Sequence, residues 1–341
     1  MSRQSRDPEA VSLTGEWRAH DHEPDLARTF AEPDLDDTTW TRVTVPHHWR
    51  DEPEFETGDG PLLYRRRFTT PRRGSGDRPR WFVELDGIFY YGDVWLDGEY
   101  LGTTEGYFVP HAFEVTDALR ARDDHVLAVE VACPPQHDRG AKRTITGGYW
   151  QSPVFDRALN PGGIWRAVRL ASCGAVRIEQ ARVSCVEASI ERGRLALHVR
   201  LDAADEVHGA ALHAVVRGPD DTVLLDAHRA TTLATGRNEL EWTLTVEEPP
   251  RWWPRGLGPQ AMCTLDVDVE IDGRSSDGFT RRVAFRDVRR RGARFHVNGE
   301  ALFLKGACYT PARALLGHAD AELVRADVAS AVTIARAWRA A

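Results

Sequence analysis

From Leu13 to about Ser172 the chain is written in short runs that alternate apolar and polar residues and break at Gly, Pro or Asp. Alternation every second residue puts one side of an extended strand into a core and the other outside, and runs this short leave no room for an amphipathic helix. In "RWFVELDG", Phe82, Glu84 and Asp86 alternate with Val83, Leu85 and Gly87. Val94-Trp95-Leu96 leads into Asp97-Gly98, a dipeptide that accepts the positive φ angles of a two-residue hairpin. "HVLAVEVA", from His125 to Ala132, predicts another half-buried strand, and "GGIWRAVRL" closes the set with Ile164, Val168 and Leu170 facing inward. Many short strands joined by tight turns predict an all-β sandwich or jelly roll.

A second β region follows, from about Gly174 to Val288. Its runs "RLALHVRL", "ALHAVVRG", "NELEWTLTV", "CTLDVDVEI" and "FTRRVAFRDV" have the length and rhythm of an immunoglobulin-like sandwich, without the Cys and Trp pattern of antibody domains. After Val288 the pattern changes. A hairpin is expected at Asn298-Gly299, then a buried-type run Leu302-Phe303-Leu304, then a helix capped by Asp320 with Val324, Val328, Ala331, Ala335 and Trp338 at helical spacing. Strand, loop and amphipathic helix make one βα unit. The chain therefore divides into 1–172, 173–288 and 289–341.

Composition narrows the function. With 44 basic against 52 acidic residues and a net charge of −8, the chain lacks the basic balance that neutralising nucleic-acid phosphates needs. The triplets Arg65-Arg66-Arg67 and Arg289-Arg290-Arg291 read as solvated strand ends. Five scattered cysteines, with no paired spacing, predict reduced thiols in a cytoplasmic protein. No apolar run approaches membrane-spanning length, so neither a membrane nor a nucleic acid is expected as partner. His47-His48 has no third ligand at useful spacing and reads as a surface or edge pair, so no metal site is predicted, and nothing implies a cofactor. The paired acids Asp36-Asp37 and Asp123-Asp124 read as solvated turns.

Several stretches in order resemble one family. "LTGEW" (from Leu13), "LDDTTWTRVTVPHHW" (from Leu35), "LLYRRRF" (ending at Phe68), "LDGIFYYGDVWLDGEYLGTTEGYFVPHAFEVTDAL" (from Leu85), "GGIWRAVRL" (from Gly162), "PPRWWPRGLGPQAMCTLDVDV" (from Pro249) with "GFTRRVAFRDV" (from Gly278), and "FHVNGEALFLKGACYTP" (from Phe295) are similar to the front half of glycoside hydrolase family 2, the β-galactosidase, β-glucuronidase and β-mannosidase group. Asp97 stands where that family usually has Asn, a swap the turn tolerates. The resemblance implies a galactose-binding-like jelly-roll domain, an immunoglobulin-like sandwich, and the first βα unit of a (β/α)8 barrel that this chain does not complete.

It also implies an O-glycosidase that acts through two glutamates about 5 to 5.5 Å apart on barrel strands. A closed barrel needs about 250 residues, so both glutamate positions fall beyond residue 341 and no catalytic residue is assigned in this chain. Asn238-Glu239 repeats the Asn-Glu dipeptide of the family's acid/base, yet it opens a strand in which Leu240, Trp242 and Leu244 alternate. The long segment from His137 to Asn160, polar with Tyr149, Trp150 and Phe155, is too long and too aromatic for a plain linker. The resemblance carries it to the mouth of the barrel, making Tyr149, Trp150 and Asp156 substrate-binding candidates, with packing beneath the loop as the other role for Trp150. Tyr309 joins them at the end of the first barrel strand, where Lys305 reads as strand packing or as a site residue.

The expected partner is a β-linked carbohydrate. The expected function is that of the non-catalytic part of a family 2 hydrolase, inactive alone. A stand-alone carbohydrate-binding module, or a structural subunit completed by a separate barrel chain, are the alternatives. The unpaired strand and apolar helix stripe of the last unit are expected to promote self-association.

Overall fold

The computed structural model describes residues 4–5, 10–71, 80–134, 160–304, 309, 313 and 315–340. Two packed pairs of antiparallel sheets account for most of them. In the first, a six-stranded sheet runs in the spatial order Thr41–Val45, Gly15–Asp21, Leu62–Thr69, Asp124–Ala132, Tyr91–Leu96, Glu99–Glu105. It faces a four-stranded sheet ordered Val11–Ser12, Val168–Cys173, Arg80–Leu85, His111–Glu114. Trp17, Val83, Leu85, Val94, Val129, Ile164, Val168 and Leu170 meet between them. The hairpin at Asp97-Gly98 forms as its residues require, with φ of 53° and 86°.

Strict alternation fails in the middle of this sheet because its outer face is covered too. Phe30, Ala31 and Trp40 pack on Leu63 and Ala128 from outside. Arg65 fastens that cover. Its side chain is fully buried, its Nε lies 2.8 Å from Asp37 Oδ2, and its guanidinium donates to the carbonyls of Phe30, Glu32 and Leu35. Two expectations are thereby corrected. Arg65 is not a solvated strand end and Asp37 is not in a solvated turn, because a carboxylate and three carbonyls gather around one guanidinium fork under an apolar lid.

In the second pair the central strands Arg192–Ala203, Val207–Arg217 and Cys263–Ile271 keep the alternation. A five-stranded sheet, Gln4–Ser5, Arg274–Val283, Cys263–Ile271, Val207–Arg217, Val223–Leu233, packs on a three-stranded one, Val176–Ala188, Arg192–Ala203, Gly236–Glu247. Leu195, Leu197, Val199 and Leu201 interleave with Leu212, Val216, Leu265, Val267 and Phe279 in a core of their own. The strands Val176–Ala188 and Val223–Leu233 were not anticipated; the second carries Asp226, His228 and Arg229 on a mostly exposed strand and so lacks a clear apolar period. Gln4–Ser5 pairs with Phe279 and Thr280, stitching the start of the chain onto this edge.

Arg80 bolts the two sandwiches together. It reaches Glu114 Oε2 at 2.7 Å in the first and Asp202 Oδ2 at 2.6 Å in the second. The guanidiniums of Arg80 and Arg177 both lie over the Phe82 ring, at 5.2 and 4.2 Å. Glu84, expected to face solvent, is buried here, pairing with Arg169 and with Arg177 at 2.7 Å each. Replacing Arg80 by alanine is expected to cost about 2 kcal/mol. That is below the value for a fully buried pair, because Glu114 and Asp202 are 41% and 26% exposed and water takes up their orphaned charges. Calorimetry should show the parent's single transition separating into two; one unshifted transition would refute the role.

Beyond Val288 a three-stranded sheet, Val288–Arg291, Arg294–Val297, Glu300–Leu302, turns at Asn298-Gly299 with φ of 53° and 92°. The helix Ala321–Ala340 starts at Asp320, whose Oδ1 accepts from the Leu323 N–H at 2.7 Å. The run expected to be buried is not: Phe303 is 81% and Leu304 55% exposed. The strand stops at Leu302 as the edge of that small sheet, so the apolar residues after it have no layer to enter. Val324, Val328 and Ile334 of the helix are exposed as well.

Candidate functional site

After the edge strand Thr41–Val45 the chain turns inward, and His47 and His48 become buried rather than lying at a surface or edge as their polarity suggests. His48 Nδ1 is 2.5 Å from the Pro161 carbonyl, and the Gly317 N–H donates to His48 Nε2 at 2.9 Å. A carbonyl only accepts and an amide N–H only donates, so the ring is neutral with its proton on Nδ1. Burial accordingly holds the His48 pKa below the ordinary histidine range. His47, against the edge of Tyr64 at 5.7 Å, has no hydrogen-bond partner for either ring nitrogen among the described residues. Burial lowers its pKa to about 4, with Asp51 pulling upward and His48 downward.

Trp49 explains the glycine pair in "GGIWRAVRL". Its ring lies against the backbone of Gly162, where a Cβ would come within 2.1 Å of the indole, while Gly163 holds φ at +132° against the backbone of His47, His48 and Trp49. Trp49 Nε1 donates to the Asn160 carbonyl at 2.9 Å. Asn160, 2% exposed, donates from Nδ2 to the Cys133 carbonyl at 2.6 Å, and its Oδ1 accepts from the Gly162 N–H at 3.2 Å. One buried amide therefore ties together the two ends of the segment 135–159. Tyr149, Trp150 and Asp156 lie in that segment, outside the described residues; what the structure supplies is the base on which they are mounted.

Beside this base runs an aromatic ledge. Phe89 stacks on Tyr107 at 4.5 Å, and Trp165 Nε1 donates to the Tyr107 carbonyl at 2.7 Å. The Arg166 guanidinium lies over Trp165 and Phe108 at 4.5 and 5.4 Å. Phe108 is half exposed. Tyr107 and Phe108 are the partly exposed rings of the ledge, and Phe89 and Trp165 are buried beneath them.

The last part of the chain returns to the same place. Leu316 packs on the first core, Gly317 bonds His48, and His318 Nε2 is 2.8 Å from Asp51 Oδ1. Tyr309 is exposed, and its hydroxyl donates to Asp327 Oδ2 of the helix at 2.7 Å. Lys305 lies outside the described residues. Glu239 sits on the outer face of the second sandwich with its Oε1 3.1 Å from Arg200, as expected for a strand residue. No sequence pattern pointed to Asn160 or to the inward turn of His48; the Gly-Gly of residues 162 and 163 was the available signal. One group of metal-capable side chains, His213, Asp226 and His228, also escaped the sequence reading because it forms across a hairpin.

The family described as "Glycosyl hydrolase 2 galactose-binding domain-like" matches residues 44–173, the span from the edge strand through His48 and Asn160 to the closing strand. The chain carries the galactose-binding-like domain of glycoside hydrolase family 2. Among proteins similar to the chain, beta-mannosidase B of Aspergillus flavus is 26% identical over 303 residues, covering 78% of the chain and 34% of the relative. Mannosylglycoprotein endo-beta-mannosidase of Lilium longiflorum is 26% identical over 257 residues, 66% of the chain and 26% of the relative. The crystal structure of Bacteroides uniformis beta-glucuronidase superposes with a TM-score of 0.73 at 20% identity, over 93% of the chain and 37% of that protein, which establishes likeness of fold. The chain thus spans about a third or less of the curated relatives it matches. Among the described residues no helix is long and apolar enough to cross a membrane.

Proposed function

We propose that this family 2 chain is the substrate-orienting front part of an enzyme that hydrolyses β-linked O-glycosides, a cytoplasmic protein of carbohydrate metabolism. Residues 1–172 serve as a jelly-roll sugar-binding domain, 173–288 as an immunoglobulin-like spacer, and 289–341 as the lead-in to a (β/α)8 barrel. The observation that carries this reading is the convergence at His48. The base of the loop 135–159 and the Leu316–His318 segment that leads to the barrel helix are held by the same imidazole, through Pro161 and Gly317. A loop rooted there is placed to reach a barrel that begins there. Trp150 and Tyr149 then stack on the sugar, Asp156 accepts from its hydroxyls, and Tyr309 borders it. The exposed Val324, Val328 and Ile334 are the face that further barrel units cover.

The catalytic carboxylates belong to the remainder of the barrel, so this chain alone turns over no aryl glycoside and binds sugar weakly, since one side of the ligand stays wet. The test is a panel of nitrophenyl mannosides, glucuronides, galactosides and glucosides, with calorimetric titration of the matching sugars. The expected result is no turnover above background and weak binding abolished by Trp150→Ala. Turnover that survives repurification and disappears in Glu239→Gln, or binding indifferent to Trp150→Ala, would overturn it.

A further inference from the structure

On the outer face of the five-stranded sheet, far in sequence from the sugar-binding features, His213 and His228 stand directly opposite each other on neighbouring strands. Their rings are stacked face to face, 4.0 Å apart and 8° from parallel. Both rings turn the same edges the same way. The Nε2 atoms of His213 and His228 lie 2.9 and 3.9 Å from Asp226 Oδ1, and their Nδ1 atoms lie 3.3 and 3.8 Å from the carboxylate of Glu270. We propose that His213, His228 and Asp226 form a binding site for a divalent transition metal of the zinc type, with Glu270 as the carboxylate that orients both imidazoles.

Each ring lies between two carboxylates, with its Nε2 toward Asp226 and its Nδ1 toward Glu270, and His213 Nε2 is within hydrogen-bond distance of Asp226 Oδ1 at 2.9 Å. A neutral imidazole carries one proton, and with that proton on Nδ1, toward Glu270, the Nε2 lone pair is available to a cation in place of the hydrogen bond. The two Nε2 atoms and a carboxylate oxygen of Asp226 all lie within 4.8 Å of one another. Two imidazoles and a carboxylate suit zinc, cobalt or nickel in preference to calcium or magnesium. Metal-ligating histidines commonly pass their other ring N–H to a carboxylate, the position Glu270 holds.

Geometry agrees. Tetrahedral bonds of about 2.1 Å set ligand atoms roughly 3.4 Å apart, and the Nε2 to Oδ1 distances of 2.9 and 3.9 Å straddle that value; the stacked rings, 8° from parallel, splay on binding so that their Nε2 lone pairs converge on the ion. The donors come from Val207–Arg217 and Val223–Leu233, and Glu270 from Cys263–Ile271, three adjacent strands of one sheet. Asp226 and His228 are 59% and 56% exposed, so water completes the coordination and the ion enters freely. Val223–Leu233 ends the order of its sheet, and a bound ion would clamp that edge strand to its neighbour.

The test is titration of the purified full chain with Zn²⁺ by calorimetry and with Co²⁺ by visible absorption. One saturable site per chain is expected, with the intense bands of a low-symmetry cobalt centre and a melting temperature that rises with Zn²⁺. His228→Ala and Asp226→Asn should each weaken binding at least tenfold and abolish the melting shift. Glu270→Gln should weaken it by about 10 to 100-fold. These side chains are surface-facing, so the variants should fold, which their circular dichroism checks. Binding of equal affinity in the parent and His228→Ala, or no saturable binding below millimolar metal, would overturn the proposal.

Discussion

Replacing Arg65 by alanine is expected to lower the unfolding free energy by about 4 kcal/mol, the range for removing one partner of a fully buried ion pair. Arg65 is 0% exposed and Asp37 9% exposed at the side chain, so Asp37 would keep its charge under the Phe30 and Trp40 cover with only the half-exposed Arg67, 3.5 Å away, to offset it. The carbonyls of Phe30, Glu32 and Leu35 would lose donors at the same time. Arg65→Lys should rescue little, because an ammonium is a point donor that cannot reach a carboxylate and three carbonyls from one fork. Urea unfolding measures this directly, with Arg28→Ala, which touches only an exposed ion pair with Asp25, as the reference for a surface change. A midpoint for Arg65→Ala no lower than that of Arg28→Ala would show that the cover holds without the ion pair.

Acidification from pH 6.5 to 4 should remove about 3 kcal/mol of stability through His47 alone. Its folded pKa is about 4, below the ordinary value of 6.5, so between those limits the unfolded chain binds more protons than the folded one. The stability it permits is therefore complete above pH 6.5 and is lost as pH falls toward 4. His48 and His111, also lowered by burial, act in the same direction, and protonating His48 on Nε2 additionally breaks the bond from Gly317. Glu52 and Glu130, raised by burial, oppose the trend. Glu114, held low chiefly by Arg80, adds its loss at lower pH, below the usual glutamate value of 4.5. Denaturant unfolding at pH 7.5, 5.5 and 4.5 should show the decline in the parent and a flatter profile in His47→Phe. Superimposable profiles would mean that His47 titrates normally in the folded state.

Both effects arise at polar residues that the sequence reading left on the surface, and the reason is the same in each case. Pattern reading assigns a face to each residue from its own polarity and the period of its neighbours. It located the strand around Val168 and Leu170, though that strand begins at Val168 and leaves Ile164 buried ahead of it, and it located the turns at Asp97-Gly98 and Asn298-Gly299 and the Asp320 cap, because each depends on residues adjacent in the chain. Arg65 and His48 depend on residues far away. Asp37 with the carbonyls of Phe30, Glu32 and Leu35 makes a buried guanidinium affordable, and Pro161 and Gly317, 113 and 269 residues from His48, satisfy its two nitrogens. Nothing local announces such partners.

The candidate site divides along the same line. Its aromatic, glycine-bearing loop and the Gly162-Gly163 pair stood out in the sequence, and so did the order of family 2 motifs that residues 44–173 bear out. The anchoring of that loop through Asn160 and Trp49, the return of Leu316–His318 to the same edge, and the meeting of His213, Asp226, His228 and Glu270 across three strands appeared only in the folded chain. The sequence by itself determined most of the local elements and the motifs of the galactose-binding-like domain, since periodicity, turn chemistry and motif order are properties of neighbouring residues. The tertiary structure alone decided which polar groups are buried and which side chains share a site, since burial and convergence depend on packing between segments that are not neighbours in the chain.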